Sequence, residues 1–566
     1  MKKNMSQPSF SDQLLRFQAQ SVLFDQKPKQ LAVRQLELPS AKTKSMKINV
    51  WRNHTFETTA NLAQIYAHAY GVDLVFEIGD YDDTLSFTNH SHADVELIWL
   101  DPQRYTNISD RKIWLGWIEQ RLQELRRLSA APIILVTWAP PPTQSDQIKN
   151  VTSNIAGCHF ADAQELATQL DVKLLDKRTE ELSGTPLSSN FQALAARTLF
   201  CHWLTGATFP PIKTVAIDLD NTLHDGILGE DGIDGIKVTE SHQSLHRTLL
   251  SLKDKGIFLA LVSRNEVEDV ENLLLKHRDY VIKKSDFSVL EVSWDSKANA
   301  IQNIASQLRI GTDSILFIDD NIGELAEVSA MLPDVQLIAA QKEATITNRA
   351  LEYHPAVWRW TLNNEDTLRI NDLKANVARE KIQKTALDQS SYFQSIGACL
   401  TFWLNPITMQ DRLASLSAKT NQFNLALHRF NTPQIHEKIT TAHTDVIGVG
   451  MRDNLSDSGI IALIVLRREN DILHIDEICI SCRAMGRGLE NAIISEAIRI
   501  SNLRHGCTTL RFKITHAPRN RPALKWLESF SGAQLPSETN ERDVTISTLD
   551  KFPPDKGILI ERHLND

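Results

Sequence analysis

The stretch Val215-Ala-Ile-Asp218-Leu-Asp220-Asn221-Thr222-Leu223 reads as a short apolar strand that ends in two carboxylates two residues apart. Side chains alternate along an extended chain, so Asp218 and Asp220 leave on the same side just where the strand gives out. Open α/β sheets bind ligands at the carboxyl ends of their strands. One carboxylate so placed can attack phosphorus and form an acyl phosphate. The other can donate and accept the proton of the leaving group. Two carboxylates repel a phosphate dianion, which calls for a hard cation, and Mg²⁺ suits oxygen ligands. Alone, an Asp-x-Asp is commonly a solvated turn, so the rest of the chain decides the reading.

Further pieces follow in a consistent order. Ser263, heading Ser263-Arg264-Asn265, comes after the apolar run 258–262 and can hydrogen-bond a phosphoryl oxygen. Lys297, in Trp294-Asp-Ser-Lys297, can neutralise phosphoryl charge. Asp319 and Asp320 follow the apolar run 314–318 and add metal-binding carboxylate. Aspartates, a hydroxyl, an ammonium and a metal are what electrostatic stabilisation of phosphoryl transfer requires.

Around this centre the chain reads as a multidomain α/β protein. A helical arm and a basic, proline-containing connector are expected over 1–46. Strands at 47–51, 72–78, 95–100, 132–138 and 172–175, with helices such as 110–128 between them, predict a parallel sheet for 47–208. Phe209-Pro210-Pro211 marks a boundary. A second, Rossmann-like parallel sheet is expected over 211–345, with strands at 214–217, 258–262, 281–283, 314–318 and 335–338. Residues 346–395 read as a charged helical connector. Closely spaced strands at 398–404, 445–451, 459–468 and 472–480, then a helix at 488–503, predict an α+β domain on a mostly antiparallel sheet for 396–560.

Composition narrows the class. The 566 residues are 42% hydrophobic and 23% charged, ordinary for globular domains. A net charge of −9 argues against a general nucleic-acid binder. The first twenty residues lack the apolar core of a secretory signal, and no apolar run approaches a membrane span. Six cysteines suggest free thiols in a cytoplasmic setting. Cys479 and Cys482 have C-x-x-C spacing, but a zinc site needs a second pair or histidines at ligand spacing, and none follows.

The order of motifs resembles the haloacid dehalogenase superfamily. The resemblance implies Asp218 as nucleophile, Asp220 as acid/base, Ser263 and Lys297 as phosphate contacts and Asp319 and Asp320 around Mg²⁺. Thr222, Arg264 and Asn265, inside the same motifs, join the candidate phosphate contacts, and Asp218 and Asp220 the candidate metal ligands. Only His224-Asp-Gly-Ile-Leu-Gly-Glu-Asp-Gly232 separates Leu223 from the next helix, too short for a large cap domain. A centre of this kind is open to a macromolecular or tethered substrate.

The longer stretch 218–232, with Phe317-Ile-Asp-Asp-Asn321, Lys419-Thr-Asn-Gln-Phe-Asn-Leu425 and Ser481-Cys-Arg-Ala-Met-Gly-Arg-Gly488, is similar to the FkbH-like family, subfamily IIIC of that superfamily. The similarity covers roughly 47–560. It implies an enzyme that takes a glyceryl unit from 1,3-bisphosphoglycerate, a phosphorylated three-carbon donor. Phosphate is removed and the unit is loaded on the phosphopantetheine thiol of an acyl carrier protein, for polyketide-type assembly. The family's usual Trp after the first motif is His224 here.

The flanking regions carry their own expectations. The N-terminal sheet resembles an SGNH-hydrolase, flavodoxin-like domain. Its first strand runs into Trp51-Arg-Asn-His-Thr55 without a nucleophilic Ser, and Gly184-Thr-Pro-Leu-Ser-Ser-Asn190 lacks a late His, so a non-catalytic role is expected. The C-terminal domain resembles an acetyltransferase-like fold. Arg483, Gly486 and Gly488 open a helix where a pantetheine phosphate would sit, and Asn421, Gln422 and Asn424 are polar candidates for substrate binding. Cys482, before Arg483 and a helix N-terminus, is the candidate thioester carrier; a buried, inert thiol is the alternative. Two other readings of the whole chain stay open: a small-molecule phosphatase, and a carrier-binding scaffold without chemistry.

Overall fold

In a computed structural model, residues 9–39, 44–105, 111–139, 144–361, 364–481, 483–517, 519–554 and 557–564 are described. The chain forms two units, 1–362 and 363–566, and the fold is mixed α/β.

The first unit holds two parallel sheets. Strands β1 (Lys44–Arg52), β2 (Val72–Tyr81), β3 (Val95–Trp99), β4 (Ile133–Thr137) and β5 (Cys158–Asp162) pair in the order β2-β1-β3-β4-β5. Every residue of β3 and β4 is buried, as in parallel strands covered on both faces. The predicted strand at 172–175 is absent. Leu175 makes only an isolated bridge to Leu187, and the fifth strand is β5, which carries the polar residues His159 and Asp162 and so lacks an apolar signature.

Strands β6 (Thr214–Ile217), β7 (Phe258–Ser263), β8 (Val289–Val292), β9 (Ile315–Asp319) and β10 (Gln336–Ala339) form the second sheet, in the order β10-β9-β6-β7-β8. All its pairings are parallel. Here too one strand differs from expectation. The run 281–283 is not a strand; Tyr280 and Ile282 are core anchors, and the edge strand is β8.

One hydrophobic core runs through both sheets, from Met46, Val50 and Trp99 through Phe200 and Leu204 to Val215, Leu249 and Leu261. Phe209-Pro210-Pro211 is therefore a passage between two sheets of one unit. The N-terminal arm belongs to the same unit. Its helix Phe10–Leu23 starts with a capping box of Ser9 and Asp12. The Gln20 amide donates to Ala339 O at 2.9 Å and accepts from Ala339 N at 3.3 Å, and Arg16 donates to Leu337 O at 2.8 Å. The exposed edge of β10 is thereby covered.

The second unit is built on β11 (Cys399–Leu404), β12 (Thr444–Arg452), β13 (Asp457–Glu469), β14 (Ile472–Ile480), β15 (Thr509–Lys513), β16 (Glu541–Thr545) and β17 (Leu559–Leu564). They pair in the order β16-β15-β14-β13-β12-β11-β17, antiparallel except for β14 with β15 and β11 with β17. The segment expected as a connector, 346–395, is divided between the units. Its helix Asn364–Thr385 is fixed inside the second by a buried ion network. Asp372 accepts from Arg379 at 2.8 Å, Arg487 at 2.9 Å, Ser456 at 2.8 Å and Ser458 at 2.7 Å, and Arg379 also grips Asp453 at 2.7 Å.

Candidate active site

The second sheet reverses its winding between β6 and β9, so the carboxyl ends of these two strands open the crevice where ligands bind such folds. Asp218 directly follows β6 and Asp319 ends β9. The Asp218 N–H donates to Ile318 O at 2.9 Å, which locks the two strand ends side by side. Asp218, Asp319 and Asp320 each offer an oxygen within one 4.8 Å cluster.

Lys297 completes this cluster. Ser296 caps the helix Lys297–Gln307 by accepting from Asn299 N–H at 3.2 Å, which puts Lys297 at the first helical position. Its buried ammonium donates to Asp218 Oδ1, lies 3.3 Å from Asp319 Oδ2 and donates to Val262 O at 3.3 Å.

One lysine does not balance three carboxylates. Burial, opposed by Lys297 and reinforced by Asp319, pushes Asp218 up to about 7. Burial likewise raises Asp319 to about 6, and Asp320 upward with help from the Asp218 charge. Asp319 Oδ2 has no well-aligned hydrogen-bond donor although it is buried. An all-oxygen donor set with excess negative charge, in which the buried Asp319 Oδ2 has the Lys297 ammonium at 3.3 Å but no well-aligned donor, fits a hard divalent cation.

Asp220, expected among the metal ligands, stands outside this carboxylate cluster because both its oxygens are taken by other donors. The turn after β6 passes through Asn221 at φ +52, a left-handed conformation that Asn tolerates. Asn221 Oδ1 then accepts from Gly226 N–H at 3.2 Å, which closes the loop. This brings Leu228 N–H to 2.9 Å from Asp220 Oδ1 and His224 Nε2 to 3.2 Å from the same oxygen. Asn265 Nδ2 donates to Asp220 Oδ2 at 2.7 Å and to Ser263 Oγ at 2.9 Å. Burial acts against ionisation of Asp220, but these donors outweigh it and hold its carboxyl below the ordinary range.

The remaining predicted residues of this centre sort by placement. Thr222 is buried, with its hydroxyl unpartnered. Ser263 ends β7 and is buried beside Asn265. Arg264 turns outward, donating to Asp295 O at 3.4 Å and pairing with Glu324 at 2.6 Å. The loop 224–232 leads into a short helical stretch, Leu228–Gly235, broken at Gly232 (φ 64), and Asp225 bridges Lys237. In the sequence His224 stands out only as a departure from the family pattern, and no local signal marks Tyr280 as its partner. Its hydroxyl lies 2.5 Å from His224 Nδ1, from 56 residues away in the chain.

In the second unit, Arg487 in the 483–488 turn is occupied by Asp372. Gly486 and Gly488 adopt φ +73 and +75, and the Gln389 amide donates to Gly488 O at 2.9 Å. Arg483 is buried. Asn421 accepts from Arg429. Asn424 is buried, accepting from Leu427 N–H at 2.7 Å, while its carbonyl accepts from Asn520 at 3.0 Å. Cys482 lies outside the described residues; Cys479 is buried. Burial pushes Glu477, on the same strand as Cys479, up to about 7, against three backbone N–H donors.

The first sheet has its own crevice between β1 and β3. Asn53 stands where a nucleophilic Ser would be needed, bonded to the Asp101 backbone at 3.0 and 2.8 Å. His54 is buried 3.1 Å from Thr185 Oγ1 and pushed down to about 3, chiefly by burial and then by Arg104 and Arg52. No described helix is long and apolar enough to cross a membrane.

No family profile matches this sequence, and no curated protein does. Solved structures do share parts of its fold. The N-terminal part of protein BF1531 from Bacteroides fragilis, containing a phosphatase domain complexed with Mg, is 16% identical over 61% of this chain and 96% of its own, at a TM-score of 0.42. A haloacid dehalogenase-family enzyme from Bacteroides thetaiotaomicron, in complex with magnesium and inorganic phosphate, is 14% identical over 23% of this chain and 95% of its own, at 0.18. A spermidine N-acetyltransferase, SpeG from Vibrio cholerae, is 15% identical over 26% of this chain and 95% of its own, at 0.21.

Proposed function

We propose that the first unit is a Mg²⁺-dependent phosphatase centre of the haloacid dehalogenase type. The observation that carries this reading is the cluster of Asp218, Asp319 and Asp320 at the crevice between β6 and β9, with Lys297 between Asp218 and Asp319. Asp218, Asp319 and Asp320 would hold the cation, which supplies charge neutralisation at the phosphoryl oxygens. Asp218 attacks phosphorus and takes the phosphoryl group as an acyl phosphate while the bond to the leaving oxygen breaks. Asp220 takes up a proton beside the phosphate dianion, gives it to that oxygen and then, as carboxylate, takes a proton from the water that hydrolyses the acyl phosphate. Lys297 and the Ser263 hydroxyl hold phosphoryl oxygens. The test is phosphate release by the full chain, by Asp218→Asn, and with chelator; undiminished release in either of the last two rejects the reading.

The finer proposal is that the phosphoryl donor is 1,3-bisphosphoglycerate and that the chain loads its glyceryl unit on the phosphopantetheine thiol of an acyl carrier protein. What supports it is the sequence resemblance, the absence of a large cap insertion between Leu223 and the helix Glu240–Asp254, and the glycine turn ahead of the helix Glu490–His505 in the second unit. Intact-mass measurement of a carrier protein incubated with the chain, Mg²⁺ and the donor tests it. An unchanged carrier mass with continued phosphate release leaves the plain phosphatase. The same experiment with Cys482→Ala asks whether that thiol carries the acyl unit first.

A further inference from the structure

Resting on the phosphatase reading, we propose that His224, clamped by Tyr280, is a positioning residue that holds the acid/base carboxylate of Asp220 through an Asp220–His224–Tyr280 chain. His224 is fully buried, four residues after Asp220. Its two ring nitrogens are both engaged, Nε2 with Asp220 Oδ1 at 3.2 Å and Nδ1 with Tyr280 OH at 2.5 Å. Tyr280 is buried too, and its ring packs on His246 at 4.9 Å and His277 at 5.6 Å.

The direction of the chain follows from chemistry. An ionised carboxylate only accepts, so Nε2 carries the proton of the neutral imidazole and donates to Asp220 Oδ1. Nδ1 is then an acceptor, and Tyr280 O–H donates to it. The donor is lost if the ring flips or takes the other tautomer, and the Tyr280 hydroxyl opposes both.

The consequence is geometric. Leu228 N–H and His224 Nε2 converge on Oδ1 while Asn265 holds Oδ2, so the carboxylate plane cannot rotate toward the cation cluster of Asp218. Asp220 stays aimed at the leaving oxygen, and the division of labour between two neighbouring aspartates is kept. A side chain able to carry this second duty must present a donor about four residues past Asp220 and an acceptor on its far side. Histidine offers both on one rigid ring.

The experiment has two independent arms on the full chain. The first is ¹⁵N spectroscopy of protein labelled at histidine, with the His224 signal identified by its loss in His224→Gln. The Nε2–H tautomer is expected, shifting toward a mixture in Tyr280→Phe; an Nδ1–H tautomer in the parent overturns the proposal. The second arm is steady-state phosphate release. A hydrogen bond to a charged group is worth enough to lower kcat by about tenfold or more in His224→Phe, with KM little changed. His224→Gln, which keeps a donor at that position, should recover most of the loss. Tyr280→Phe added to His224→Phe should cost nothing further, because the pair acts as one unit. An unchanged kcat in His224→Phe, equal losses in Phe and Gln, or additive losses in the double variant each overturn it. If the parent chain releases phosphate from no phosphomonoester, the functional reading fails, and the tautomer arm still decides the chain.

Discussion

The ammonium of Lys297 lies 3.3 Å from Asp319 Oδ2 while it donates to Asp218, so a single cation spans the ends of β6 and β9. All three groups are buried. Removing one partner of such a set strands the remaining charges, at a cost of about 3–5 kcal/mol. Lys297→Met is therefore expected to lower phosphate release by about 10²-fold or more and to lower Tm. The Tm loss should shrink when Mg²⁺ is added, because a bound cation replaces the lost charge. A Lys297→Met protein with parental turnover would contradict the assignment.

Metal removal should change the pH dependence of stability. In the metal-free chain Asp218 and Asp319 are raised to about 7 and about 6, above their unfolded values. Between those unfolded values and pH 7 the folded state binds more protons than the unfolded one, so stability falls as pH rises through that window. The chelated chain should thus gain Tm on acidification from pH 8 to about pH 5.5. With Mg²⁺ bound the carboxylates stay ionised, and this gain should vanish. Equal pH slopes with and without Mg²⁺ would show that the cation is not bound by these residues.

Asp372→Ala should destabilise the second unit by about 3–5 kcal/mol, because it leaves the buried Arg379 and Arg487 unpaired. Phosphate release, which the proposed mechanism assigns to residues of the first unit, should persist. Two separate unfolding transitions, with only one displaced by the substitution, is the expected calorimetric record. A variant that loses phosphate release in step with that transition would contradict it.

The first sheet should show no esterase chemistry. Asn53 supplies no nucleophile, and burial keeps His54 neutral and bound to Thr185. The full chain carrying Asp218→Asn should leave simple aryl esters intact. Hydrolysis that disappears in His54→Ala would refute this.

The placement of Asp218, Ser263, Lys297 and Asp319 around one crevice was legible in the sequence because the carboxylates and the hydroxyl sit at the ends of apolar strands, and Lys297 at the start of a helix. Strand ends and helix starts are local properties, and four such points in order imply one crevice. The alternation of strands and helices likewise announced two parallel sheets, and the crowded strands after 398 an antiparallel one. Local pattern failed where burial is set by distant partners. Polar β5 is a strand because β4 offers it an edge, and 281–283 is not one because Tyr280 and Ile282 turn into the core. Arg487, inside the glycine turn 481–488, is paired with Asp372, 115 residues earlier. The partner of His224 is Tyr280, beyond any helical or strand spacing. The sequence by itself determined which residues end strands and carry charge, since both depend on near neighbours along the chain. Only the tertiary structure decided which of those charges are already satisfied, since that depends on packing between segments that spacing does not relate.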